Sequence, residues 1–109
     1  MKVGIVLYSN DPEVVWNAFR FANFAIAMGD SVKFFLIGNG VESVAAEKLD
    51  TEKFKSSEQL KTTLRTGGKM FACGTCLEMR KLKAPPEFTV GTLKEMYEIV
   101  KESDKVLTF

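Results

Sequence analysis

Short apolar runs alternate along this chain with longer stretches in which apolar and polar positions interleave at helical spacing. Lys2 to Tyr8 is nearly continuous apolar sequence, as a strand covered on both faces of a parallel sheet requires. Ser9-Asn10-Asp11-Pro12 then supplies a turn and a helix start, with Asp11 placed as N-cap and Pro12 at the first helical position. A helix is predicted from there to Met28. Glu13, Asn17 and Arg20 form its polar stripe, and apolar residues including Val15, Trp16, Phe19, Phe21, Phe24 and Ile26 take most of the remaining circumference. That is more apolar surface than one sheet contact needs. Two readings account for it: deep burial within the monomer, or contact with another subunit.

Gly29 is placed to end this helix in the left-handed conformation, and Ser31 to Ile37 forms a second apolar run. Strand, helix and strand in that order imply a right-handed parallel unit. Gly38-Asn39-Gly40 marks the end of the second strand, and Val41 to Leu49 carries a short helical pattern. Asp50 to Lys55 is charged and reads as a loop. Ser57 is positioned to cap a helix through Thr66, with Leu60 and Leu64 as its apolar face and Gly67-Gly68 as its stop. Lys69 to Ala72 leads as a short strand into Cys73-Gly74-Thr75-Cys76, and Leu77 to Leu82 continues as helix, placing the two cysteines at a strand-to-helix turn. Pro85-Pro86 breaks the pattern and Phe88 to Val90 is a brief extended piece. Thr92 with Glu95 forms a capping box for a last helix whose expected core stripe is Leu93, Met96, Tyr97 and Val100. Asp104 to Phe109 closes as a strand that must be paired, since an apolar terminus is otherwise left exposed. No internal repeat or linker interrupts the pattern, so one α/β domain is expected over residues 1–109.

Composition narrows the chemistry. At 109 residues with 46% hydrophobic and 27% charged content, the chain can build a core without disulfide staples. Fifteen basic against fourteen acidic residues leave a net charge of +1, too little long-range field to favour nucleic acid or an anionic membrane as partner. No apolar segment is long enough for a targeting sequence or membrane span, and the cytoplasm is the expected location. The absence of histidine removes Ser-His and Cys-His nucleophile pairs, histidine bases and histidine metal ligands together. No cofactor is implied. Zinc would need four nitrogen or sulfur ligands where the chain offers two thiols, so a metal would have to be shared between subunits.

Cys73 and Cys76 therefore become the focus. The first turn of a helix presents unpaired amides and partial positive charge, which would favour the thiolate of Cys73 and make it the nucleophile. Cys76, three residues on, faces back toward it and could resolve a disulfide or share a sulfane sulfur. Gly74 and Thr75 would contribute the backbone around the sulfurs, and Arg80 falls on the same helical face with its positive charge. In an open parallel sheet the carboxyl ends of the strands line one edge, so Ser9, Asn10, Gly38 and Cys73 are expected to converge there around a crevice. Gly38-x-Gly40-x-x-Ser43 lacks a full dinucleotide fingerprint and reads as a turn. Three functions remain open on these residues: persulfide transfer, dithiol–disulfide oxidoreduction, and a non-catalytic oligomeric module binding a small ligand. The thioredoxin version of the second lacks the usual aromatic residue just before the cysteine pair.

Several stretches taken together carry a family likeness. They are Ser9 to Phe24, Phe35 to Glu42, Cys73-Gly74-Thr75-Cys76-Leu77-Glu78-Met79-Arg80, and Asp104 to Phe109. In this order the sequence resembles the DsrE/DsrF-like group of small sulfur-relay proteins over essentially its whole length. The resemblance implies a three-layer α/β/α fold with a mainly parallel five-stranded sheet, flavodoxin-like in general architecture, and assembly as trimers or hexamers. It also implies a persulfide carrier that hands sulfur between donor and acceptor proteins, with Cys73 matching the relay cysteine and Cys76 the second cysteine of a two-cysteine subgroup. Related sequences commonly continue Ala-Arg-Gly where this one has Met79-Arg80-Lys81, so the turn after the helix must form here without that glycine.

Overall fold

In the computed structural model, which describes residues 1–109, every apolar run is a strand: β1 (Lys2–Leu7), β2 (Ser31–Leu36), β3 (Lys69–Cys73), β4 (Phe88–Gly91) and β5 (Lys105–Thr108). They form one five-stranded sheet in the order β4-β3-β2-β1-β5, parallel at every pairing. The connections supply helices α1 (Pro12–Ala27), α2 (Ser56–Arg65), α3 (Gly74–Met79) and α4 (Leu93–Glu102). Between β2 and α2 the expected short helix takes the tighter 3-10 form over Gly38–Lys48, in two pieces that meet at a kink at Ala45.

Register partners in a parallel sheet share a face. Val3, Ile5 and Leu7 thus align with Val32, Phe34 and Leu36, and the last two with Met70 and Ala72, all of them buried. This face lies under α1, whose Phe19 ring packs on Phe34 at 5.1 Å between centroids. The neighbouring α2 is tied to α1 by polar contacts: Asn23 donates to the Gln59 carbonyl at 3.1 Å, and Thr63 Oγ1 donates to Asn23 Oδ1 at 2.7 Å. The opposite face carries α4, because an atom added at Gly4 would meet Ser103 Oγ at 2.6 Å and Ile99 at 2.9 Å. Helices on both sides of the sheet make the three layers.

At α1 and α4 the local helix signals form as the sequence predicts. Asp11 accepts from the Val14 amide with Pro12 at the first turn, and Thr92 and Glu95 make the reciprocal capping box. Gly29, at φ +95°, closes α1 as its Asp30 neighbour donates back to the Ala25 carbonyl at 3.0 Å.

Two expectations fail. Ser57 does not cap α2. The helix begins one residue earlier, and Asp50 from the charged loop caps it, accepting from the Ser57 amide at 2.9 Å and from its hydroxyl. A side chain seven positions upstream thus does what the nearest serine was expected to do. In α4 the stripe Leu93, Tyr97 and Val100 faces outward, 66, 65 and 45% exposed, while Ile99 is the buried residue and Met96 packs partly against the core. The bare backbone at Gly4 explains the rotation, since it leaves a notch only Ile99 and Ser103 fill. On α1, Phe21, Phe24 and Met28 stay exposed, so the surplus apolar surface is not absorbed within one chain.

Candidate functional site: a dithiol at the carboxyl edge of the sheet

All five strands run in one direction, so the turns after β2 and β3 meet at one edge of the sheet. Cys73 ends β3 and is the N-cap of α3, with extended backbone (φ −62°, ψ 116°) and no side-chain capping bond. Gly74 lets the first turn of α3 sit against β4, where an added Cβ would come within 3.1 Å of Val90. One helical turn brings Cys76 back toward Cys73, and both are free thiols.

Their surroundings differ. Cys73 is 7% exposed, whereas Cys76 is only partly covered. The Gly38 amide, delivered by the turn after β2, donates to Cys76 Sγ at 3.2 Å. Gly38 holds φ +57°, a conformation in which glycine is unstrained. Burial pushes the Cys73 thiol up from its ordinary value, and the neighbouring Cys76 thiol pushes the same way. The backbone amides of Cys76 and Thr75 pull it down without prevailing. This reverses the expectation that the helix start would lower the Cys73 pKa. With only six residues, α3 offers a weak field, and desolvation of the sulfur outweighs it.

Arg80 closes the arrangement from the far end of α3. Its guanidinium donates to the Cys76 carbonyl at 3.2 Å and to Asn39 Oδ1 at 2.8 Å, tying the helix to the Gly38-Asn39-Gly40 turn. The structure thus brings Cys73, Cys76, Gly38, Gly74, Thr75 and Arg80 together. Asn10 is held elsewhere, donating to Glu42 at 3.1 Å, and Ser9 accepts from the Asp11 amide at 3.0 Å. The expected crevice around Ser9, Asn10, Gly38 and Cys73 is not a cavity of the single chain. The surface clefts lie against α4 and the start of β1, between α1 and Phe54, and beside Phe21 and Phe24. The side chains at that edge are engaged in turn and tether bonds rather than arranged around a hollow. Asn39 is the residue of this arrangement that sequence reasoning passed over: its flanking glycines mark a tight turn, but nothing nearby in sequence points to Arg80. No group of three or more Cys, Asp or Glu side chains converges anywhere in the chain, so the dithiol offers two sulfur ligands and no third. No helix is long and apolar enough to cross a membrane.

The turn after α3 shows how the fold manages without the glycine that the resemblance led one to expect there. Leu82 donates to the Leu77 carbonyl at 3.0 Å and Lys81 to Glu78 at 3.1 Å, with Lys81 itself at φ +53°. A lysine in that region costs about 1 kcal/mol relative to glycine. Lys81→Gly is therefore expected to raise stability by about 1 kcal/mol in urea unfolding, and an unchanged or lower midpoint would show that the turn is not strained.

Comparison with known proteins places the chain among relatives. The profile of the DsrE/DsrF-like family matches residues 1–109. The uncharacterized protein MJ0989 of Methanocaldococcus jannaschii is 35% identical over 100 residues, spanning 89% of this chain and 88% of its own. The uncharacterized protein MK0008 of Methanopyrus kandleri is 34% identical over 101 residues, spanning 89% of this chain and 83% of its own. Among solved structures, the ychN protein from E. coli superposes with a TM-score of 0.86 at 23% identity, covering 100% of this chain and 99% of that one. The last similarity establishes the shared fold.

Proposed function

The chain belongs to the DsrE/DsrF-like family, and from that premise we propose that it is a sulfur-relay protein whose single domain, residues 1–109, carries sulfane sulfur as a persulfide on Cys73, with Cys76 assisting or resolving. The observation that supports this reading most directly is the pair of free thiols one helical turn apart at the end of β3, with the Gly38 amide donating to Cys76 Sγ. In the transfer, a cysteine thiolate attacks the outer sulfur of a donor persulfide, forming a new S–S bond while the donor leaves as thiolate. Discharge has two routes. An acceptor thiolate takes the outer sulfur and restores the Cys73 thiolate, or Cys76 attacks the inner sulfur, forming a Cys73–Cys76 disulfide and releasing hydrosulfide. Both routes conserve atoms and electrons without a metal or cofactor.

The partners are donor and acceptor proteins in the cytoplasm, and the carrier works as a homo-oligomer, trimeric or hexameric. The exposed Phe21, Phe24 and Met28 on α1 support self-association. Gly38, Gly74 and Thr75 form the surroundings in which the sulfur is bound, Arg80 fastens the turn that carries Gly38, and Asn10 is tied to Glu42 outside them.

Native mass spectrometry after incubation with a sulfane-sulfur donor tests both parts at once. The expected result is an oligomer of the 12.2 kDa chain. Each subunit should gain about 32 Da, removable by reductant, mapped to Cys73 and absent from the Cys73→Ser/Cys76→Ser variant. A loss of two hydrogens in place of the gain would favour dithiol–disulfide exchange. An unchanged mass would favour a ligand-binding module, and a monomer at micromolar concentration would remove the assembly.

A further inference from the structure

Resting on the reading of the dithiol as a sulfur carrier, we infer that its two sulfurs act in series: Cys76 receives sulfane sulfur from the donor and passes it to Cys73, while Arg80 positions Cys76 for that first step. Three observations converge on Cys76. It is the more accessible thiol, since Cys73 is buried to 7% exposure, and an incoming donor must line up its S–S bond with the attacking sulfur. An amide from a separate element is aimed at it, Gly38 N–H to Sγ at 3.2 Å, ready to hold charge on that sulfur when it attacks and again when it leaves. A brace fixes that amide in place. Arg80 joins Asn39, the residue next to the donor, to the carbonyl of Cys76, the residue that bears the sulfur. Cys73 has no comparable partner from outside its own turn.

The chemistry balances in two displacements. In the first, the Cys76 thiolate attacks the outer sulfur of a donor persulfide R–S–SH. The Cys76–sulfur bond forms, the donor S–S bond breaks, and R–S⁻ departs with the electron pair. In the second, the Cys73 thiol gives its proton to water and attacks the same outer sulfur. Cys73–S–SH forms and Cys76 leaves as thiolate onto the Gly38 amide. The sulfane sulfur keeps its oxidation state throughout, so neither oxidant nor reductant is consumed. Burial makes Cys73 a poor nucleophile toward an outside donor at neutral pH, but the second attack is on a neighbour one helical turn away, where proximity replaces collision. The product persulfide then sits on the sulfur that solvent reaches least. Arg80 touches neither sulfur and acts through the turn it holds.

The test is the rate of sulfur uptake from glutathione persulfide, followed by mass and peptide mapping in wild type, Cys73→Ser and Cys76→Ser. Uptake on Cys76 in the Cys73→Ser variant is expected to run near the wild-type rate, while Cys76→Ser loads Cys73 slower by about tenfold or more. Adding Arg80→Ala should slow the Cys73→Ser protein by a larger factor than the Cys76→Ser protein, a contrast that a general loss of structure would not give; equal slowing of the two would remove the positioning role of Arg80. Equal loading of wild type and Cys76→Ser would overturn the series while leaving the carrier reading intact; no uptake by any of the proteins would remove both. Native alkylation of the unmutated chain with iodoacetamide provides a second measurement independent of variant folding: Cys76 is expected to react before Cys73, and the reverse order overturns the inference.

Discussion

Gly40→Ala is expected to cost about 3 kcal/mol of stability, the upper end of what overpacking does. The collision is with main chain. A Cβ at Gly40 would stand 1.9 Å from the Leu7 carbonyl oxygen and 2.6 Å from its carbon, main-chain atoms at the end of β1 that cannot turn aside as a side chain can. That same carbonyl accepts from the Ile37 amide at 3.0 Å, so relief by moving Leu7 would break a bond that anchors the turn. The two glycines flanking Asn39 therefore answer different demands. Gly38 needs its positive φ and has open space around it, whereas Gly40 needs the space. Gly38→Ala should accordingly cost less, about 1 kcal/mol of backbone strain. Urea unfolding of the two variants side by side checks the ranking, and a Gly40→Ala loss below about 1 kcal/mol would mean the sheet edge yields where the geometry says it cannot. Because the Gly38 amide rides on this turn, the Gly40 variant should also lose the hydrogen bond to Cys76 Sγ.

What the sequence made legible follows from how far each signal reaches. The starts of α1 and α4 were readable because their caps lie within a few residues: Asp11 with Pro12, and Thr92 with Glu95. Strands β1 and β2 were readable because burial on two faces demands continuous apolar runs. The rotation of α4 was not, because nothing within the helix announces that Gly4, some ninety positions upstream, leaves the notch into which Ile99 settles. The cap of α2 failed on the same account, since Asp50 had to fold back to displace the nearer serine. At the site, the spacing of Cys73 and Cys76 fixed their meeting, and the parallel strand order brought Gly38 to the same edge. Which sulfur that amide would face, and that Arg80 would reach across forty-one positions to Asn39, lay in the tertiary packing alone. The charge state of Cys73 is the instructive failure: helix-start reasoning favours the thiolate, but burial is set by neighbours the local motif does not contain, and it weighs more.

That balance predicts the pH dependence of the buried thiol. Only the thiolate reacts, so alkylation of Cys73 in the native protein should climb about tenfold per pH unit through neutrality and still be rising past about pH 8.5, where an ordinary thiol begins to level off. A profile that levels at or below that point would mean the helix amides prevail over desolvation after all. Cys76→Ser removes the neighbouring thiol that raises Cys73 but leaves its burial, so the profile should move toward lower pH without losing the offset that burial imposes. Stability carries the same sign. A group held protonated by the fold binds more protons folded than unfolded, so its contribution is complete below about pH 8.5 and is lost as pH rises through the raised folded value. Unfolding midpoints of wild type should therefore fall faster across the alkaline range than those of Cys73→Ser. The difference isolates the thiol from the fifteen lysines and arginines, which both proteins share. Parallel curves for the two proteins would show that Cys73 ionises as easily folded as unfolded, and the case for a sulfur shielded from outside donors would go with them.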